Sequence, residues 1–352
     1  MKKYFPQLDG LRAIAAGMVL THHYWPKSVE IDLSRGRLGV DLFFVLSGYL
    51  ITRSLLSSRD RETFEPTDAL KSFQKRRFLR IVPLYYVTLL LACYLPYERT
   101  TALIWHALFL SNILFVVRHS YVSAAGHLWA LAIDQQFYLL WPLAVLFVAR
   151  RRVAASGYAM IACGLIFRVC CLVFGWSEIT RNVMTFTAFE SLGSGAVLAT
   201  WMASREDEPS RLARPLTAVA VAGFVLWVPH AIFPEHTDFG FTYIILFTEL
   251  SRALLLTWLV AQAVWGIPGA VGKFLQCVPM RALGLWSYGI YLSHNFFLGI
   301  FRSNTHHLGS LSVYDSEALI ALGATLVWSA AAYYWLERPL GRLAARWSQK
   351  SR

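Results

Sequence analysis

The sequence predicts an all-α, polytopic integral membrane protein of about ten transmembrane helices with both termini cytoplasmic, and three observations carry that prediction. Of the 352 residues, 56% are hydrophobic and only 15% are charged, where an average soluble domain carries about a quarter charged residues. Apolar stretches of about 20 residues, the length a helix needs to cross the hydrocarbon core, recur from end to end. Lysine and arginine concentrate in alternate connections between those stretches, the bias that sets membrane orientation. A water-soluble chain of this length needs far more polar surface, and so hydrophobic a chain is not disordered.

The predicted spans cover residues 8–25, 38–56, 78–95, 127–148, 157–174, 185–202, 215–233, 242–265, 282–301 and 317–336. The first opens with Asp9 and Arg12 and lacks a small-residue cleavage site, so it is expected to stay in the protein. Between the second and third lies the longest inner connection, 57–77, where Glu65-Pro66-Thr67-Asp68 reads as a helix start. An eleventh apolar piece, 105–117, is short for a span. If it does not cross, the inner segments hold 21 of the 33 lysines and arginines and the outer segments seven. If it crosses, the run Arg150-Arg151-Arg152 falls outside, against the positive-inside rule. Ten spans are therefore expected.

The net charge of +12 is mostly a topology signal under this arrangement. A nucleic-acid partner would need a soluble basic face, and there is none. The basic inner surface suits anionic membrane lipid or a phosphate-bearing cytosolic ligand. The five cysteines, Cys93, Cys163, Cys170, Cys171 and Cys277, lie in or beside apolar runs with no CxxC or metal-ligand spacing. They are expected to be packing residues, and no metal site is expected.

Ionisable groups inside spans are costly and usually functional. The first span has the densest set, Asp9, Arg12, His22 and His23. Asp9 and Arg12 are three apart and can pair. Arg12 and His23 are eleven apart, which at about 100° per residue returns to nearly the same face, about 16 Å further along. An Asp–Arg–His stripe thus faces the bundle interior, with Arg12 near the cytoplasmic mouth and His23 toward the outer half. Asp41, near the outer end of the second span, can either hydrogen-bond a histidine or cap its helix. Arg76, Arg77 and Arg80 cluster at the inner end of the third span before Pro83. Arg77 and Arg80 share a face suited to gripping phosphate oxygens, although plain inner anchoring gives the same composition. Asp134, Gln135 and Gln136 interrupt the fourth span between Trp129 and Trp141. Ser287, Tyr291 and His294 form a further polar stripe in the ninth. Arg168, Glu190, Glu249 and Arg252 are charged residues within spans whose partners the sequence does not assign.

These residues resemble the membrane-bound acyltransferase 3 family. Leu8-Asp9-Gly10-Leu11-Arg12 followed by His23 is similar to its opening. Gly39-Val40-Asp41-Leu42-Phe43-Phe44 through Ser47-Gly48-Tyr49, then Arg77-Phe78-Leu79-Arg80-Ile81-Val82-Pro83, match in order. So do His127-Leu128-Trp129-Ala130-Leu131 with Gln136-Phe137-Tyr138, Ser287-Tyr288-Gly289-Ile290-Tyr291-Leu292-Ser293-His294, and Glu337-Arg338-Pro339. The resemblance covers nearly the whole chain. It implies ten spans in a bacterial cytoplasmic (inner) membrane, residues 1–340 forming the acyltransferase domain and 341–352 a basic cytoplasmic tail, in a stand-alone member without an appended hydrolase-like domain.

The resemblance also implies transfer of an acyl group, most often acetyl, from cytosolic acyl-CoA to a hydroxyl of a cell-surface glycan or lipid-linked saccharide, with no permanently bound cofactor. The family's arginine–histidine motif lands on Arg12 and His23, and its paired arginines on Arg77 and Arg80. On this basis His23 is the expected general base, tuned by Asp9 or Asp41. Arg77 and Arg80, with Arg12, are expected to bind the phosphates of CoA, and Asp134, Ser47, Tyr291 and His294 to contact substrate. One departure stands out. Where the family has two acidic residues before Gln-Phe-Tyr, this chain has Asp134-Gln135. The rival class is a transporter or flippase whose buried charges line a path, but the symmetric repeat it would need is not evident.

Overall fold

The computed structural model describes residues 4–25, 34–92, 100–121, 125–205, 209–233, 237–303 and 311–350, and every regular element among them is helical. Helices α1 (Pro6–Tyr24), α2 (Ser34–Arg59) and α3 (Pro66–Ala92) are followed by the short α4 (Thr100–Ala107) and α5 (Ser111–Arg118). Next come α6 (Leu128–Phe147), α7 (Val153–Val173), the short α8 (Glu178–Val183), α9 (Phe189–Ala203), α10 (Ala213–Ile232) and α11 (Asp238–Trp265). The short α12 (Gly269–Leu275) leads to α13 (Val278–Ser303), α14 (Leu311–Ala332), a π-helical turn (Tyr333–Glu337) and α15 (Arg338–Lys350). Cys93, Lys27, Arg99 and the end of the span expected at 78–95 lie outside the described residues.

Each predicted span falls on its own helix, and the chain is an all-α, multi-pass membrane protein. Among the described residues, six stretches are long and apolar enough by themselves to cross a membrane: Gly36–Arg59, Leu128–Phe147, Arg150–Val173, Ser210–His230, Asp238–Trp265 and Ser316–Ala344. Helix α9 has only 15 residues, because the predicted span at 185–202 opens with a 3-10 turn, Thr185–Ala188.

Two local differences from the sequence expectation matter. The apolar piece 105–117 is not one helix. Phe109 adopts φ 55°, and Tyr85 and Tyr86 donate hydrogen bonds to the carbonyls of His106 and Ala107 at 2.8 and 2.7 Å. The resulting α4 and α5 have eight residues each, about 12 Å of helix at 1.5 Å per residue, too short to cross. The connection 57–77 is mostly helical, since α2 runs to Arg59 and α3 starts at Pro66. A proline in the first turn is well placed there, because its missing N–H has no intrahelical partner to lose.

Small residues let the helix backbones meet. A Cβ on Gly48 of α2 would overlap the Leu192 carbonyl of α9, and one on Gly195 of α9 would lie 2.9 Å from the Tyr49 nitrogen of α2. Such close approach is how helices associate where lipid offers no hydrophobic drive. On the other side of α1, a Cβ on Gly284 would overlap the Asp9 carbonyl, so α13 lies directly against α1. Leu139, Leu140 and Leu143 on α6, Ile166, Val169 and Val173 on α7, and Val221, Phe224 and Val225 on α10 are exposed, as lipid-facing side chains would be.

The charges left unassigned by the sequence pair with one another inside the bundle. Arg168 of α7 donates to Glu190 of α9 at 2.5 Å. Arg37 of α2 meets Asp41 at 3.1 Å and Glu249 of α11 at 3.5 Å. Arg252 of α11 meets Glu249 at 3.4 Å and Asp41 at 3.8 Å. Three arginines balance three carboxylates, which removes the cost of leaving an isolated charge in a low-dielectric interior.

Candidate active site

Helices α1, α2, α3, α6 and α13 enclose a cavity of about 110 Å³. Its walls bring together seven residues that the sequence singled out from five separate spans: Arg12, Ser47, Arg77, Arg80, Asp134, Ser287 and Tyr291. Arg77 and Arg80 are three apart on α3, so both reach the same wall. The Arg77 guanidinium lies 5.3 Å from the centre of the Tyr138 ring and 5.5 Å from that of Phe73, distances at which a cation is attracted by the ring face. Neither Arg77 nor Arg80 forms an ion pair with a described residue. Arg12 is paired with Asp9 at 3.3 Å, and Asp9 also accepts the Tyr4 hydroxyl at 2.5 Å. Arg12, Arg77 and Arg80 lie within electrostatic range of one another. Like charges converging on one cavity favour an anionic occupant.

Asp134 is the acidic residue of the cavity wall. It stands beside Ser47 and Tyr138, whose hydroxyls are 3.1 Å apart, and its buried Oδ1 has no hydrogen-bond partner. The neighbouring glutamines divide. Gln136 braces the α5 region, donating to Asn112 Oδ1 and to the Phe109 carbonyl, each at 3.1 Å, and accepting Thr185 Oγ1 at 2.5 Å. Gln135 is half-buried and does not line the cavity.

Past Tyr291 stands a layer of histidines. The His23 and His294 rings are 4.9 Å apart, and His294 and His127 are 4.7 Å apart. His22 packs on the outer side of His23 at 5.0 Å. His23 Nδ1 lies 2.9 Å from the Val19 carbonyl oxygen. A carbonyl only accepts, so Nδ1 carries the proton and the basic lone pair of the neutral ring is on Nε2. His294 repeats the arrangement, its Nδ1 donating to the Tyr291 carbonyl at 2.7 Å. It is fully buried, and its Nε2 has no hydrogen-bond partner. His127 Nε2 donates to the Leu292 carbonyl at 3.0 Å, and Tyr291 Oη donates to the His127 carbonyl at 2.8 Å. Tyr24 Oη donates to the His294 carbonyl at 2.9 Å. Phe43 and Tyr291, an edge-to-face pair 6.2 Å between centres, both line the cavity, and the Tyr291 ring also lies 5.7 Å from those of His127 and His294.

The α1 stripe is thus divided as its spacing requires, with Asp9 and Arg12 at one end and His23 at the other. Asp41 belongs to the Arg37–Glu249–Arg252 network, and no ion pair joins it or Asp9 to His23. The backbone carbonyl of Val19 sets the His23 tautomer instead. His127 was not among the expected site residues. Its position at the outer end of its span, the same end as His23 under alternating topology, was the available signal.

The acyltransferase domain family described by the Acyltransferase 3 profile matches residues 5–334. Over 369 residues the chain is 29% identical to the O-acetyltransferase OatA of Staphylococcus aureus, covering 96% of this chain and 57% of that protein. It is 28% identical over 368 residues to the peptidoglycan O-acetyltransferase OatA of Listeria monocytogenes, covering 96% of this chain and 56% of that one. The chain therefore spans little more than half the length of these relatives. No solved structure matches it significantly. With the family's profile running from the residue before α1 into the π-helical turn that follows α14, the chain belongs to the acyltransferase 3 family.

Proposed function

We propose that this chain is a membrane O-acetyltransferase of the bacterial cytoplasmic membrane, moving an acetyl group from cytosolic acetyl-CoA to a hydroxyl of a cell-surface glycan. The observation that carries the reading is the alignment, inside one bundle, of an arginine-lined cavity with a histidine whose Nε2 is the basic nitrogen. Arg77 and Arg80, with Arg12, supply charge-assisted hydrogen bonds to the donor phosphates at the cytoplasmic mouth. The pantetheine arm then spans the distance from Arg12 to His23, about 16 Å along α1, and displaces the Phe43–Tyr291 pair on the way.

His23 Nε2 takes the proton from the acceptor hydroxyl as its oxygen bonds to the thioester carbonyl carbon. The tetrahedral intermediate collapses with cleavage of the carbon–sulfur bond, and the imidazolium returns the proton to the departing CoA thiolate. The Val19 carbonyl holds the ring in the required tautomer throughout. His294, with an unpartnered acceptor nitrogen beside His23, receives a second hydroxyl of the acceptor. Ser47, beside Asp134, offers a hydroxyl to polarise the thioester oxygen. Asp41 supports the site indirectly by tying α2 to α11. The relative from Listeria monocytogenes is a peptidoglycan O-acetyltransferase by name, which makes peptidoglycan the first acceptor to assay.

The test uses the full chain in nanodiscs with labelled acetyl-CoA and a panel of peptidoglycan fragments and polysaccharides. His23→Ala is expected to lower acetyl transfer by about 10²–10⁴-fold while remaining in the membrane as a monodisperse protein. Wild-type transfer by that variant would refute the role of His23.

A further inference from the structure

The cavity has a carboxylate behind its arginine wall that nothing in the mechanism above uses. Glu337 ends the π-helical turn between α14 and α15. It is only 6% exposed, and its Oε1 has no hydrogen-bond partner. The turn packs against α3 and α13, the helices that carry Arg80 and Tyr288. Arg80 is the cation within electrostatic reach of Glu337, and Tyr288 lies within reach of both. Tyr288 lines the cavity beside Arg80 and donates to the Ile81 carbonyl of α3 at 2.9 Å. Arg80 lines the cavity and is exposed, and it forms no ion pair with a carboxylate of the described residues.

A buried carboxylate with an unsatisfied oxygen is costly, and so is its persistence in the irregular turn that delivers it. π-helical turns are rare and concentrate at functional sites. Here the turn interrupts the α-helical register between α14 and α15 at residue 337 and packs against α3. The arginine arm is long and flexible, and its planar head has donors on more than one edge. One edge can engage Glu337 while another faces the cavity.

We propose that Glu337 is a positioning residue that orients the Arg80 guanidinium toward the donor phosphates. This rests on the donor-site reading above. Binding then requires less ordering of the Arg80 arm, which improves donor affinity without touching the reacting atoms.

The experiment measures steady-state acetyl transfer by the full chain in nanodiscs for Glu337→Gln, Glu337→Asp, Arg80→Met, Arg77→Ala and the double variant Glu337→Gln/Arg80→Met. Glu337→Gln is nearly isosteric and is expected to raise the acetyl-CoA KM about fivefold, within the range of coupled neighbours, with kcat changed less than twofold. Glu337→Asp should recover part of the loss. In the Arg80→Met background, Glu337→Gln should add nothing. Equilibrium binding of CoA to the Asp and Gln variants gives the same comparison if turnover is too low to measure. An unchanged or lowered donor KM in Glu337→Gln, or an equal rise with and without Arg80, overturns the proposal. If Arg80→Met and Arg77→Ala raise KM while Glu337→Gln does not, only this proposal fails. If none of them changes it, the donor-site reading fails as well.

Discussion

Breaking the Arg168–Glu190 pair and removing it altogether should have opposite consequences. Arg168 is 5% exposed and Glu190 is fully buried, with 2.5 Å between Nε and Oε1. The Glu190 carboxylate lies over Gly164 of α7, where a Cβ would come within 2.7 Å of its Cδ. Arg168→Met leaves Glu190 buried and unpaired, and Glu190→Leu leaves Arg168 so, each at a cost of about 3–5 kcal/mol. That is a large fraction of the roughly 5–15 kcal/mol that holds a typical domain folded. The double variant Arg168→Met/Glu190→Leu loses both charges together. Its penalty should fall to within about 1–2 kcal/mol of wild type, since well-packed apolar replacements of buried pairs are often nearly neutral. The assay is thermal unfolding of the detergent-solubilised protein followed by size-exclusion profile, for all four members of the cycle. Single variants should melt several degrees below wild type and the double variant above both. A double variant whose loss equals the sum of the single losses would refute the argument, because it would show no coupling between the two side chains.

Two further outcomes follow from the same geometry. Arg77→Lys keeps the charge but loses the planar head that lies against Tyr138 and Phe73. It should raise the donor KM about tenfold with kcat preserved, and an unchanged KM in transfer assays would remove that contact from donor binding. Gly195→Val places a branched side chain against the Val45 carbonyl and the Tyr49 nitrogen. It should force α9 off α2 and abolish recovery of monodisperse protein, whereas the solvent-side Gly341→Ala, with open space around it, should not; equal recovery of the two would contradict the close packing.

How much of this was legible in the sequence differs between the fold and the site. Hydropathy and the lysine–arginine bias are local quantities, so the positions of the long helices could be read without a tertiary structure. The same is true of residues on one helix: the spacing of Arg12 and His23 places them on one stripe, Asp9 pairs with Arg12 as a three-residue separation allows, and Arg77 and Arg80 share a wall. The motif resemblance added the family, because those blocks recur in order along nearly the whole chain.

What only the tertiary structure decided is which helices are neighbours. Hydrophobic periodicity marks a helix as buried without naming its partner, and in lipid the choice is made by backbone approach at small residues such as Gly48, Gly195 and Gly284. Helix packing pairs Arg168 with Glu190 and joins two pairs that single helices already allow, Arg37–Asp41 on α2 and Glu249–Arg252 on α11, into one network. It also brings His294 against both His23 and His127, and it seats the π-helical turn that carries Glu337 against α3. The Val19 carbonyl takes the orienting role that the sequence offered to Asp9 or Asp41, because a backbone oxygen one turn back is always present on a helix and leaves no mark in the residue pattern. Sequence determined which polar groups are carried into the membrane; packing determined which of them meet.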